Sequence, residues 1–186
     1  MVADSMPPPA APTVEGLVDV ARDQSIEDWE RMFGRAVLVG PKPGPIGSPA
    51  ETEEEDPWAF QTISASIDPS GGGDPLTSFR YSEVYGLKKA AGGAFAATVL
   101  IGRSSSNDVS IPESSLSKLH ARVHLAVDGT MTISDSGSKN GTLLNGQPID
   151  GKPRPLTHGD LLQLGKRSFK VYATRRFHGL VAKLPI

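Results

Sequence analysis

From residue 83 onward the chain is a succession of short strand-like runs broken by turn residues, with no helical period before residue 176. The runs are EVYGLKK, FAATVLIG, DVSI, ARVHLAV, TMTIS, GTLLNGQPI, DLLQLG and SFKVYATRR, and only a few residues separate each from the next. Such spacing predicts an all-β sandwich. Within ARVHLAV, Val123, Leu125 and Val127 alternate with Arg122, His124 and Ala126, the pattern of a strand with one buried face. Asn145-Gly146 lies between TLL and QPI, and both residues tolerate positive φ, so a two-residue hairpin is expected there. Asn140-Gly141 is expected to form a second turn of that type. Residues 83–176 thus predict one sandwich of short antiparallel strands.

The rest of the chain reads differently. Glycine (20) and proline (16) together make up about a fifth of the 186 residues, well above ordinary usage, and hydrophobic residues reach only 38%. Much of that excess lies near the N-terminus. Residues 1–24 are rich in proline, alanine and acid, and GPKPGPIGSPAETEEED at 40–56 has the composition of a linker. Between them Ser25 can cap a short helix near 26–35, with Ile26, Trp29, Met32 and Phe33 spaced as an apolar stripe that either docks on the body or meets a partner. Residues 1–56 are therefore expected to be a largely disordered acidic arm carrying one helix. Residues 57–82 read as an extension with a weak strand in PWAFQTISASID, and 177–186 as a C-terminal tail.

Charge is divided along the same line. Residues 1–56 hold 12 acidic and 4 basic side chains, net −8, whereas 57–186 hold 9 acidic and 15 basic, net +6. A basic body on an acidic arm points to anionic partners or to attraction between the two parts. There is no cysteine, which excludes disulfides, thiolate metal sites and a cysteine nucleophile. The four histidines lack metal-ligand spacing, and no metal or cofactor is expected. No leader-like segment and no apolar window of membrane-spanning length occurs, so a cytoplasmic protein without membrane contact is expected.

The loops carry the chemistry. GRSSSND, PESSLSKLH and DSGSKNGT supply Arg103, many serines, Lys118, Lys139 and Asn140 against Asp108, Glu113 and Asp135. This is the make-up of an anion receptor: a guanidinium binds phosphate oxygens in pairs, a hydroxyl donates once more, and lysines add charge. Asn presents a donor and an acceptor together, as gripping a peptide main chain requires.

Gly102-Arg103, Ser117-x-x-His120, Asp135, SxNGT at 138–142, Asn145-Gly146 and LxxGD at 156–160, in this order, resemble the forkhead-associated (FHA) domain over roughly 83–175. The resemblance implies a β-sandwich that binds phosphothreonine peptides through loops at one end. It implies that Arg103 holds the phosphate with Ser117, that Lys118 touches phosphate or peptide, and that Asn140 bonds the peptide main chain. Lys139 stands where some members have a hydroxyl, exchanging a hydrogen bond for charge. Asn107 and His120 match positions that brace the loops, as do Gly102, Asp135, Gly141, Asn145 and Gly146.

Other readings compete. Ser117, His120 and Asp135 could be a nucleophile, base and orienter, but no G-x-S-x-G elbow accompanies them and a non-enzymatic protein is expected. A nucleic-acid surface would need aromatic platforms among the basic loops, and those loops contain none. An FHA fold with a lapsed pocket, binding proteins without phosphate, is the nearer alternative. Thr52, inside the acidic run at 51–56, is a plausible phosphorylation site that would let the chain's own arm occupy the pocket.

Overall fold

The computed structural model describes residues 11–41, 79–90 and 97–185. A 3-10 turn at Glu15–Leu17 leads into α1 (Val18–Asp23) and α2 (Ile26–Phe33). Eleven strands follow: β1 (Ala36–Gly40), β2 (Glu83–Gly86), β3 (Thr98–Gly102), β4 (Val109–Ser110), β5 (Ala121–Leu125) and β6 (Met131–Asp135), then β7 (Thr142–Leu144), β8 (Gln147–Ile149), β9 (Arg154–Pro155), β10 (Leu161–Leu164) and β11 (Arg167–Ala173). Helix α3 (Thr174–Val181) closes the described chain.

The strands form two sheets, one ordered β2-β1-β11-β10-β7-β8 and the other β4-β3-β5-β6-β9. All pairs are antiparallel except β3 with β4, where Ile101 faces Val109 in parallel register. Val99, Ile101, Val123 and Ile133 from the five-stranded sheet meet Leu38, Leu162, Leu164, Phe169 and Val171 from the other, all fully buried. Burying each such side chain contributes about 1.5–3 kcal/mol before chain entropy is counted. The alternation expected through Val127 stops at Leu125. Val127 is 98% exposed because Gly129, at φ +93, turns the chain back toward β6. The Asn145-Gly146 hairpin has the expected form, with positive φ at both residues (52° and 76°) and Leu144 paired with Gln147.

The N-terminal segment departs from the expectation of a disordered arm. Residues 11–41 are folded onto the sandwich, and β1 sits inside the six-stranded sheet between β2 and β11. All five residues of β1 are buried. Ala36 and Leu38 face the inter-sheet core, and Val37 and Val39 face a second core closed by the helices. That second core centres on Trp29, whose ring lies 5.2 Å from Phe33 and 5.9 Å from Phe177. Helix α2 is capped as expected, Ser25 Oγ accepting from the Asp28 amide at 3.3 Å, and it docks on the body. Met32, placed on the buried stripe by spacing, is 45% exposed beside Arg31 at the helix end. The C-terminal stretch packs there too: Phe177, Val181 and Leu184 are buried against the same core. Gly40, the first residue of the expected linker at 40–56, belongs to β1; residues 42–56, the weak strand at 57–68 and Thr52 lie outside the described residues. Among the described residues no helix is long and apolar enough to cross a membrane.

Candidate functional site

Four connections meet at one end of the sandwich: 103–108, 111–120, 136–141 and the turn Gly165-Lys166 between β10 and β11. Gly102 ends β3 against the second of them. A Cβ there would collide with the Lys118 carbonyl and stand 2.9 Å from the Ser117 oxygen. With only hydrogen at this position, the Arg103 amide donates to Ser117 O at 2.9 Å and the Ser104 amide to Lys118 O at 3.2 Å. Asn107 ties the same pair of loops, its Nδ2 donating to Ser104 O (2.9 Å) and Lys118 O (2.6 Å).

His120, fully buried, bolts two of these connections to β3. The Ser117 amide donates to its Nδ1 at 3.1 Å, which leaves Nε2 to carry the ring proton and donate to Gly141 O at 3.0 Å. Its own amide donates to Ile101 O (2.8 Å) and its carbonyl accepts from Ser136 N (2.9 Å). Asp135 organises the third connection. Oδ1 accepts from the amides of Gly137 (2.7 Å) and Ser138 (2.8 Å), and Oδ2 from the hydroxyls of Ser138 and Thr142, both at 2.6 Å. Burial works to raise this carboxyl, but the four hydrogen bonds outweigh it and hold Asp135 below the usual carboxylate range. Farther along, Asn145 Nδ2 donates to Asp160 (2.9 Å) and its Oδ1 accepts from Leu161 N (2.8 Å), fixing the β7–β8 hairpin to β10.

On this frame stand the residues expected to meet a ligand. Arg103 is exposed and anchored by one bond, Nε to Leu116 O at 3.2 Å; neither Nη has a partner among the described residues. Ser117 Oγ accepts from the Lys139 amide at 3.0 Å, so its hydroxyl proton is available to donate outward. Lys118 and Lys139 are exposed, and neither ammonium has a partner among the described residues. Asn140 Nδ2 donates to Ser115 O at 2.7 Å, leaving Oδ1 and a second N–H for another molecule. Asn140 does not share the backbone of a hairpin turn with Gly141. Asn145 is the only non-glycine described residue at positive φ, and of the Asn140-Gly141 pair only Gly141 turns left-handed (φ +77).

The nearby carboxylates are engaged elsewhere. Asp108 pairs with Lys89 at 2.8 Å and accepts the amides of Ala90 (2.9 Å) and Leu100 (2.8 Å), so it does not reach Arg103. Burial favours its neutral form, yet Lys89 and those amides prevail and depress it below the usual range. Glu113 Oε1 accepts from the Ser115 amide at 3.2 Å. Among the described residues the face therefore presents Arg103, Lys118 and Lys139 without ion pairs, beside acids that are already hydrogen-bonded. Ser117, His120 and Asp135 form no proton relay: the histidine meets the serine through its amide, and Asp135 bonds Ser138 and Thr142 instead. Among the described residues no group of three or more His, Asp or Glu is placed to hold a metal.

Ser138 and Thr142, the ends of the SxNGT motif, bond Asp135, a role the motif did not assign to them. Ser115 and Gly165 meet across some fifty residues, and nothing local announces that contact.

Residues 99–165 match the family model described as the FHA domain. No curated protein matches the chain. Among solved structures, the N-terminal FHA domain of Rad53p from S. cerevisiae, in complex with a phosphothreonine peptide, is 23% identical, covering 52% of this chain and 89% of that one at a TM-score of 0.43. The FHA domain of the CT664 protein from Chlamydia trachomatis is 24% identical, covering 50% and 85% at a TM-score of 0.42. That of an Arabidopsis thaliana hypothetical protein is 29% identical, covering 50% and 73% at 0.40.

Proposed function

From the FHA domain that residues 99–165 form, we propose that this protein is a phosphothreonine-dependent protein-binding module of kinase signalling, working in the cytoplasm and without catalysis of its own. The observation that carries the proposal is the set of unpaired cations, Arg103, Lys118 and Lys139, whose main chains meet at Ser117, the hydroxyl of which keeps its proton to donate. A phosphoryl group brings about −1.5 to −2 charges and three acceptor oxygens, matching one guanidinium edge, one O–H and two ammonium fields. Nη1 and Nη2 of Arg103 take two oxygens, and Ser117 donates to the third. Asn140 then uses its open Oδ1 and N–H on the peptide main chain.

Two features make such a pocket selective. Asp108 and Glu113 are hydrogen-bonded elsewhere, so the Nη groups of Arg103 stay open to a ligand, and an unphosphorylated threonine offers them a neutral hydroxyl in place of a dianion. The loops are also held by hydrogen bonds before any ligand arrives, which lowers the ordering penalty of binding. The family resemblance adds a preference for phosphothreonine over phosphoserine.

Calorimetry with one peptide in phosphothreonine, phosphoserine and unmodified forms tests the reading. Binding is expected to weaken in that order and to vanish for the unmodified peptide. Arg103→Ala is expected to weaken phosphothreonine binding by about 2–5 kcal/mol, as for one truncated partner of a charge pair, with the Tm nearly unchanged. Equal affinity for all three forms overturns the proposal in favour of a phosphate-independent surface.

A further inference from the structure

The turn between β10 and β11 is fastened into this site although none of the phosphate-holding residues bonds to it. Gly165, at φ +59, lies so near 111–120 that a Cβ would stand 2.6 Å from the Ser115 carbonyl oxygen. Its amide donates to Gly141 O at 3.0 Å, and its carbonyl accepts from Gln163 Nε2 at 2.9 Å. The Lys166 amide donates to Ser115 Oγ at 3.1 Å, while the Ser115 carbonyl accepts from Asn140 Nδ2 at 2.7 Å. One buried serine thus bridges the Lys166 main chain and the side chain assigned to the peptide backbone. The Lys166 ammonium is exposed and has no ion pair or hydrogen bond among the described residues. Glu113, the acid on the adjoining loop, makes no ion pair with it and keeps Oε1 on the Ser115 amide and Ser114 hydroxyl.

We infer that Lys166 is a specificity-determining residue, selecting phosphothreonine peptides that carry an acidic side chain on the stretch running past Asn140. The inference rests on the pocket reading above and deepens it. Lys118 and Lys139 are tied to the Ser117 end, Lys118 by the bonds its carbonyl accepts and Lys139 by its amide. Lys166 is tied to the Ser115–Asn140 end instead, so its charge is offset from the phosphate. A ligand acid there would meet a cation held on a turn bonded to two loops of the site. An exposed ion pair of this kind changes affinity by about two- to fivefold and weakens with salt.

The test uses phosphothreonine peptides with a single Asp or Asn at each position flanking the phosphothreonine, titrated against the full chain and its Lys166→Ala and Lys166→Glu variants. The wild-type protein is expected to favour Asp over Asn about two- to fivefold at one flanking position. Lys166→Ala should erase that ratio at that position alone, and Lys166→Glu should invert it, with the Tm unchanged and any loss in the Asn series spread evenly over the flanking positions. An Asp advantage that survives both variants overturns this inference and leaves the pocket reading intact, as does the lack of any Asp advantage in a protein that binds phosphothreonine. Failure of every phosphothreonine peptide to bind the wild-type protein overturns the pocket reading and this inference together.

Discussion

His120 has one ring tautomer open to it, because the Ser117 amide can only donate to Nδ1 and the Gly141 carbonyl can only accept from Nε2. Its removal leaves the part-buried Ser117 amide without its acceptor, whereas Gly141 O keeps the Gly165 amide. His120→Ala is therefore expected to destabilise the fold by about 1–3 kcal/mol, read as a lowered Tm, while also loosening Ser117 and weakening phosphopeptide binding. Arg103→Ala should show the opposite balance, with affinity lost and Tm retained, so the two variants separate frame from contact. Asp135 gives a further expectation at this scale. Its folded-state carboxyl is depressed below the unfolded value near ~4, so its hydrogen bonds stabilise the protein above that pH, and the contribution is lost as pH falls through the folded value. Thermal melts from pH 7 down to about 3 should show stability falling at the acid end. Asp135→Asn should flatten part of that fall and leave the share that belongs to Asp28, Asp108 and Asp128, which are depressed as well.

Among elements, β1 matters most. It is the middle partner of β2 and β11, with Leu38 facing both Tyr85 and Val171. A chain shortened to residues 79–186 would keep ten strands and the site loops yet leave two facing edges of the six-stranded sheet unfilled. It is expected to lack a cooperative melt by circular dichroism, whereas residues 11–186 should melt cooperatively. The contrast shows where sequence reading succeeds. The strands from residue 83 are legible because polar and apolar residues alternate and turn residues punctuate them; β5 and the Asn145-Gly146 hairpin are the clearest cases. Ala36–Gly40 has no polar residue to alternate, since helices cover its outer face, and it stands amid proline, glycine and acid. An apolar run of five is compatible with a strand buried on both faces, but its partners lie far along the chain and leave no mark near it. The candidate site residues stand in the sequence as a set of types in order; the link between Lys166 and Asn140 does not, because it passes through Ser115.

The whole molecule has two ends that are built by different means. The site end is polar and hydrogen-bonded, and the flank formed by α1, α2 and α3 is an aromatic and aliphatic core around Trp29. Trp29→Ala should destabilise the protein by about 3–5 kcal/mol in denaturant titration, yet at temperatures where it stays folded its phosphopeptide affinity should match wild type. Affinity should fall steeply with ionic strength in both proteins, since the pocket is exposed and cationic. The pairing of Ala36 with Ala173 has a consequence in time as well as in space. During synthesis β1 leaves the ribosome long before β11, and the larger sheet cannot close until its last strand is made. Until then Ala-Val-Leu-Val-Gly waits without one of its two neighbours, an apolar edge open to misassociation. Closure of the larger sheet is therefore expected to come late, and a chaperone that shields short apolar strands while residues 41–166 are being translated is expected to raise yield more than final stability.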